Sequence, residues 1–131
     1  MNHADHIDLL REGIPESGGR WADLGAGRGA FTLALAELVN PAATIYAVDK
    51  DAGALRRLRQ RVHQKFPTLS LQTLQADFTG PLELPPLEGI VMANALHFIT
   101  QKVVVVRRLR QYLQQEGRLI LVEYEKDRGN R

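Results

Sequence analysis

A glycine-rich loop between an apolar run and an amphipathic run constrains the fold of this chain more than any other feature. Residues 20–24 are predicted as a short strand and residues 30–39 as a helix, and the loop between them contains Gly25, Gly27 and Gly29. Glycines at alternate positions allow a tight turn, and they let a ligand or a helix approach the backbone closely. The sequence therefore predicts an α/β fold whose first strand leads into a ligand-binding loop.

Short apolar strands alternate with amphipathic helices along the rest of the chain, which is typical of a parallel sheet covered by helices. Four further strands are predicted at residues 44–49, 69–76, 89–96 and 118–124. Three further helices are predicted at residues 2–13, 51–66 and 102–115, the last of them capped by Gly117. Right-handed crossovers then give a Rossmann-like, doubly wound parallel sheet with the strand order 3-2-1-4-5.

The composition indicates one globular domain over residues 1–131, with an N-terminal helix and turn at 1–19, a core at 20–124 and a tail at 125–131. No apolar run approaches the ~20 residues that a membrane span needs, and the first residues lack the apolar core of a secretory signal. We therefore expect a cytoplasmic protein without a membrane partner. The chain has no cysteine, which excludes disulfides, thiolate zinc sites and cysteine nucleophiles.

Charged and histidine residues point to neither nucleic acid nor metal. Thirteen of the 17 basic residues are arginines; those clustered at 56–61 and 107–110 are interpreted as solvated helix faces, with an RNA-contact stripe as the alternative. His3, His6 and His63 have no metal-like spacing, so no metal site is expected.

Two ligand classes fit the glycine loop. Gly25, Gly27 and Ala30 match the G-x-G-x-x-G/A pattern of dinucleotide-binding proteins. Asp23 and the three glycines match a second pattern, an acid followed by glycines at alternate positions. An acid at this position would repel a pyrophosphate, but it would suit a ligand that carries an ammonium group.

The second pattern resembles the first motif, D/E-x-G-x-G-x-G, of the class I S-adenosylmethionine-dependent methyltransferases, and the chain is similar to their small type 11 and type 12 domains. The resemblance implies S-adenosyl-L-methionine as the cofactor, with Asp23, Gly25, Gly27 and Gly29 around its methionine end. Asp49, next to Lys50, ends the second strand and can accept hydrogen bonds from both ribose hydroxyls, although NAD enzymes use an acid there too. Further residues with roles implied by the resemblance are Asp77 (adenine amino group), Phe78 (adenine ring), Asn94 (methionine end) and residues 6–10, a helix that folds over the cofactor.

The expected function is methyl transfer to an unidentified acceptor, for which a small molecule is the expectation. His97 is a candidate general base because its pKa lies near working pH, and Glu123 and Tyr124 could line the acceptor pocket. The Asn-Pro-Pro-aromatic motif of amino-methylating nucleic-acid enzymes is missing, which argues against those acceptors. The alternatives are an NAD-binding oxidoreductase domain and a non-catalytic cofactor-binding or dimerisation module.

One departure from the resembled family concerns the end of the sheet. Full class I domains have seven strands, whereas this sequence stops just after the fifth and lacks strands six and seven. The fifth strand would then present an uncovered apolar edge at residues 119–122, which is prone to association. We therefore expect either a fragment of a longer protein or a homodimer that pairs through this edge.

Overall fold

The computed structural model of the chain describes residues 2–14, 19–93 and 101–122. Its centre is a five-stranded sheet in the order β3-β2-β1-β4-β5, in which every pair of neighbours is parallel. The predicted doubly wound topology and its strand order are therefore confirmed. The elements are α1 (His3–Arg11), β1 (Arg20–Leu24), α2 (Ala30–Leu38), β2 (Thr44–Asp49), α3 (Ala52–Lys65), β3 (Ser70–Gln75), β4 (Leu87–Ala93), α4 (Lys102–Arg110) and β5 (Leu113–Val122).

Helices cover both faces of the sheet, and β1 divides its side chains between them. Trp21 joins a buried cluster with Leu10 of α1 and Leu35 of α2, whereas Ala22 and Leu24 join a second cluster that contains Val105 and Leu109 of α4. Successive residues of a strand point to opposite faces, so a strand covered on both sides must be apolar almost throughout. This explains why the central strands appear in the sequence as continuous apolar runs.

Side-chain caps fix where two of the helices begin. Asn2 and Asp5 form a capping box at the start of α1. At the start of α3, the Asp51 carboxylate accepts hydrogen bonds from the amides of Gly53 and Ala54, at 2.9 and 3.1 Å. Caps of this kind are each worth ~1 kcal/mol of stability. Because Asp51 is the residue that caps α3, the Asp49 carboxylate can bond to the neighbouring glycine loop instead.

The predicted boundary between α4 and β5 is wrong. The apolar stripe predicted a helix to residue 115, but α4 ends at Arg110, and its C-cap is Gln111 rather than Gly117. Leu113 pairs with Leu87 instead, and the next pair joins Gly89 to Arg118, so residues 114–117 bulge out of the ladder. Pairing with β4 outweighs the helical pattern because the Leu87 amide donates to the Tyr112 carbonyl oxygen at 2.8 Å, and Leu113 packs, half-buried, against the cluster that contains Leu87.

The other predicted ends of helices and strands differ less from the observed ends. β4 begins at Leu87, two residues before the predicted start, and the predicted ends of the fourth and fifth strands lie outside the described residues. Among the helices that the structure describes, none is long and apolar enough to cross a membrane.

Candidate functional site

The loops that follow β1, β2 and β3 meet at one edge of the sheet. Leu24 pairs with Val48, and Asp49 pairs with Gln75, so the three strands end side by side. The strand order reverses direction between β1 and β4, and ligands of open α/β sheets bind in the crevice beside such a point, at the carboxyl ends of the strands. The predicted residues from Asp23 to Phe78 therefore belong to one region of the surface.

The three loop glycines adopt backbone conformations that other residues rarely reach. Their φ angles are +76° at Gly25, +57° at Gly27 and +96° at Gly29. A Cβ atom at Gly27 would meet no atom within 4 Å, whereas one at Gly29 would lie 2.9 Å from Cγ of Leu58 in α3. Gly27 thus faces open space that a ligand can occupy, and Gly29 allows α3 to pack against the start of α2.

The loop amides are already bonded within the protein. The amides of Gly25 and Ala26 both donate to the Val48 carbonyl oxygen, at 2.8 and 2.9 Å, and the Gly29 amide donates to the Ala26 carbonyl at 3.0 Å. The Gly27 amide donates to Oδ2 of Asp49 at 2.9 Å. Phosphate-binding loops point free N–H groups at the anion. The four amides of this loop already donate to acceptors within the protein, so they are not free to bind a phosphate.

Asp49 links the glycine loop to the start of α3. Its Oδ1 accepts a hydrogen bond from the Asp51 amide at 2.9 Å, while Oδ2 holds Gly27. The side chain is half-buried, and each carboxylate oxygen can accept a second hydrogen bond. Two adjacent hydroxyl groups could therefore donate to Asp49 without displacing either amide.

Asp23 is a buried carboxyl group with a single described hydrogen bond. It is 1% exposed, and its Oδ2 accepts from the Thr32 hydroxyl at 2.6 Å. Burial raises the pKa of Asp23 to about 6, with a further contribution from the charge of Asp49, although the Thr32 hydrogen bond opposes the rise. Among the described residues, no cationic group forms an ion pair with Asp23.

Asp77 and Phe78 lie in a tight turn after β3. Oδ1 of Asp77 accepts from the amide and the hydroxyl of Thr79, at 2.9 and 2.7 Å, and the Gly80 amide donates to the Asp77 carbonyl oxygen at 3.0 Å. The Thr79 bonds lower the pKa of the exposed Asp77, and the charge of Lys50 adds to this effect. Phe78 is half-buried against the cluster that contains Leu24 and Val48.

Four residues that support these groups were missed by sequence reasoning. Thr32 and Thr79 bond the acids Asp23 and Asp77. Two arginines that were interpreted as part of solvated faces reach loop carbonyls: Arg61 donates to the Arg28 carbonyl oxygen at 2.8 Å, and Arg108 donates to that of Thr79. Periodicity identifies the face of a helix but not the partner of its side chain, so the sequence contained no signal for the contacts of Thr32 and the two arginines. The Asp77–Thr79 contact did have a signal, since an acid can bond to the backbone two residues later in a turn.

Of the remaining predicted residues, the structure describes only residues 6–10 of α1. Asn94, His97, Glu123 and Tyr124 lie outside the described residues. Helix α1 packs on α2, where the rings of His6 and Phe31 lie 4.3 Å apart between centres.

The described residues contain no metal site, and one surface groove that they form lies away from this edge. Within the described ranges no group of three or more acidic or histidine side chains could hold a metal. A groove of about 390 Å³, lined by Arg59, His63, Phe66, Leu69 and Leu71 among others, follows the second half of α3 and the start of β3. It lies toward the opposite end of the sheet from the glycine loop.

Two curated relatives match most of the chain. The ubiquinone/menaquinone biosynthesis C-methyltransferase UbiE of Pseudomonas aeruginosa is 28% identical over 116 residues, which cover 87% of this chain and 45% of the relative. The reducing polyketide synthase grgA of a Penicillium species is 32% identical over 113 residues, which cover 82% of this chain and 4% of the relative. The chain thus spans less than half the length of these relatives.

Solved structures share the fold. A coclaurine N-methyltransferase bound to N-methylheliamine and SAH superposes with a TM-score of 0.81 and 20% identity, over 91% of this chain and 35% of the other. A SAM dependent methyltransferase from Aquifex aeolicus gives a TM-score of 0.79 and 21% identity, over 95% and 68% of the two chains. Identities this low show the fold alone.

A family model described as a methyltransferase domain matches residues 22–119, which run from β1 into β5. This match includes the glycine loop, Asp49 and the Asp77 turn. The chain therefore belongs to the methyltransferase domain family, whose cofactor is S-adenosyl-L-methionine.

Proposed function

We propose that the carboxyl edge of β1, β2 and β3 binds S-adenosyl-L-methionine and that the protein transfers a methyl group to a small-molecule acceptor. The observation that carries this proposal is the electrostatic character of the glycine loop. The amides of Gly25, Ala26, Gly27 and Gly29 are internally bonded. The carboxyl groups of Asp23 and Asp49 lie beside the first half of the loop, whereas the Arg61 guanidinium is bonded to the Arg28 carbonyl oxygen in its second half. Such a loop disfavours a pyrophosphate and favours a cationic ligand with hydroxyl groups.

Each candidate residue of this edge that the structure describes has a proposed role in binding the cofactor. Asp49 accepts hydrogen bonds from the ribose hydroxyls with its remaining acceptor capacity. Asp23 faces the cationic methionine end, which approaches over Gly25 and Gly27, and Gly29 shapes the loop there. Asp77, Phe78 and Lys50 surround the adenine: the first accepts from its amino group, and the second packs on its ring.

The bound cofactor supplies a methyl group on a sulfonium sulfur, which an acceptor nucleophile displaces in line. For such a displacement the protein chiefly contributes positioning and the exclusion of water. We propose that Asn94 borders the methionine end and that His97 serves as a general base, on the strength of their positions after β4 in the sequence. Glu123 and Tyr124 remain proposed residues of the acceptor pocket.

The acceptor proposal draws on the relatives. The names of two of them, a ubiquinone/menaquinone biosynthesis C-methyltransferase and a coclaurine N-methyltransferase, refer to small molecules. The atoms that receive the methyl group differ between them, so we propose the class of acceptor and not the atom. We also keep the cytoplasmic location as a proposal, which cell fractionation can test.

Calorimetric titration with S-adenosylhomocysteine, run beside NAD, tests the cofactor assignment. We expect micromolar binding of S-adenosylhomocysteine and none of NAD. Asp49→Ala should weaken binding about 10- to 100-fold, since hydrogen bonds to a charged group are worth about 1.5–3 kcal/mol. Asp8→Ala, the same substitution at an exposed residue of α1, is the control and should bind normally. Binding of NAD instead, or equal affinities in the two variants, would contradict the assignment.

A second copy of the chain is the proposed partner of the β5 edge. In the described sheet β5 pairs only with β4, and Leu121 is 41% exposed. Light scattering after size exclusion should give a dimer mass that Leu121→Lys reduces to the monomer mass. A monomeric wild type would contradict this pairing.

A further inference from the structure

The hydroxyl of Thr32 bonds to a different element of the fold. Thr32 is in the first turn of α2, so the helix has no carbonyl oxygen four residues earlier that could accept from the hydroxyl. The hydroxyl donates to Oδ2 of Asp23 at 2.6 Å. Thr32 and Asp23 are 0% and 1% exposed, so the bond is shielded from water and joins α2 to β1.

The surroundings of Asp23 disfavour its ionised form. On β2 the facing titratable group is Asp49, a like charge, and on α2 the facing polar group is Thr32, a neutral donor. His6 of α1 stacks on Phe31, the neighbour of Thr32, and burial lowers the pKa of this histidine, which disfavours its charged form. No cationic group among the described residues pairs with Asp23. The Thr32 bond is thus the one described interaction that favours the anion.

We propose that Thr32 is a positioning residue for cofactor binding, whose hydroxyl holds the Asp23 carboxylate toward the cationic methionine end, so that binding is coupled to loss of a proton from Asp23. This inference rests on the proposed function. The balance is simple: the protonated carboxyl group and the cationic ligand give a carboxylate–ammonium pair and one proton, which leaves to the solvent.

The coupling predicts a characteristic pH dependence. Because the pKa of Asp23 is about 6 in the free protein, affinity should be constant above that pH and should fall as pH decreases below it, up to tenfold per pH unit. Removing the hydroxyl raises the pKa of Asp23 further, so the whole profile should move to higher pH. A residue that only stabilised the fold would lower the affinity equally at every pH.

Calorimetric titration of the full chain with S-adenosylhomocysteine from pH 5 to pH 8 tests this, in two buffers that differ in ionisation heat. We expect wild type to release up to one proton per ligand below pH 6. Thr32→Val should move the midpoint upward by about one pH unit, which lowers the affinity about twofold at pH 7 and about tenfold at pH 5. Thr32→Ser keeps the hydroxyl and should restore the wild-type profile.

A second ligand separates failure of the inference from failure of the proposed function. 5′-Methylthioadenosine has no amino acid end, so its affinity should not depend on the state of Asp23. Binding of both ligands with the same pH dependence, or a uniform loss of affinity in Thr32→Val, would overturn the role of Thr32 alone. Binding of neither ligand by wild type would overturn the proposed function and the inference with it. If Thr32→Val does not fold, the proton release of wild type and the profile of Thr32→Ser decide the question.

Discussion

The loop glycines should separate the stability of the fold from the binding of its ligand. In Gly29→Ala the new methyl group meets Leu58, a fully buried residue, at 2.9 Å, and the backbone keeps a φ of +96°. A left-handed conformation costs a residue with a Cβ about 1–2 kcal/mol, and overpacking a core costs typically about 1–3 kcal/mol. We therefore expect a loss of about 2–5 kcal/mol, or roughly 10 °C in Tm for a domain of this size.

Gly27→Ala should impair ligand binding more than it lowers the stability of the fold. Its φ of +57° also lies in the left-handed region, but no atom is within 4 Å of the added Cβ, so only the conformational cost of about 1–2 kcal/mol applies. The methyl group would instead occupy the space proposed for the cofactor, and affinity for S-adenosylhomocysteine should fall at least tenfold. Urea unfolding measures the first effect and calorimetry the second.

A third substitution serves as the control for both variants. Gly53→Ala places the same methyl group in the first turn of α3 without a positive φ, and its Cβ would lie 3.3 Å from Oδ1 of Asp51. Alanine is favoured over glycine in a helix by up to about 1 kcal/mol, which offsets a small shift of that carboxylate, so the net change in stability should be small. The reasoning is refuted if Gly29→Ala unfolds at the same urea concentration as Gly53→Ala. It is equally refuted if Gly27→Ala binds the ligand as tightly as wild type.

Three further outcomes are expected. Because the pKa of Asp23 is raised from 3.8 to about 6, its contribution to stability is complete below pH 3.8 and is lost as pH rises through 6. Urea unfolding should show wild type losing up to about 3 kcal/mol relative to Asp23→Asn between pH 4 and pH 7, and a constant difference would be contrary to the assignment. Thr79→Val removes the hydroxyl that helps to lower the pKa of Asp77, so an NMR titration of that carboxyl group should move to higher pH; an unchanged titration would assign the lowered pKa to the remaining contacts. In Gly89→Ala the new Cβ would lie 2.2 Å from Cζ3 of the buried Trp21, so we expect the free energy of unfolding to fall by about 3 kcal/mol or more. The fluorescence of the single tryptophan reports the unfolding. Wild-type stability would show that the ring can shift freely.

The sequence was most informative where each residue has a local reason for its conformation. The run at Thr44–Asp49 is a strand with the predicted bounds, since alternate side chains meet a helix on one face and the second cluster on the other. Asp51 caps α3 because a short acid just before a helix can reach the first free amides. The boundary after α4 failed because it depends on β4, a strand more than twenty residues earlier, and a helical stripe cannot show that Leu113 will pair there.

The candidate site could likewise be predicted from the sequence only where its residues have a local cause. Its acids and glycines were recognisable because they stand at the ends of apolar strands, where the topology must gather them. Some of the bonds that support them join different elements: Thr32 of α2 reaches Asp23 of β1, and Arg108 of α4 reaches the turn after β3. Such contacts depend on how whole helices and strands are oriented, and the spacing of residues along the chain does not reveal that orientation.

The hydrogen bonds between the glycine loop and β2 have a consequence for the thermodynamics of binding. The amides of Gly25, Ala26 and Gly27 cannot exchange with solvent unless the loop separates from Val48 and Asp49, so they should exchange as slowly as amides of the central strands, unlike those of most ligand loops. The entropy of ordering this loop is lost when the chain folds and not when a ligand arrives. The ligand would therefore meet a rigid receptor, and its heat capacity of binding would reflect mainly the apolar surface that it covers.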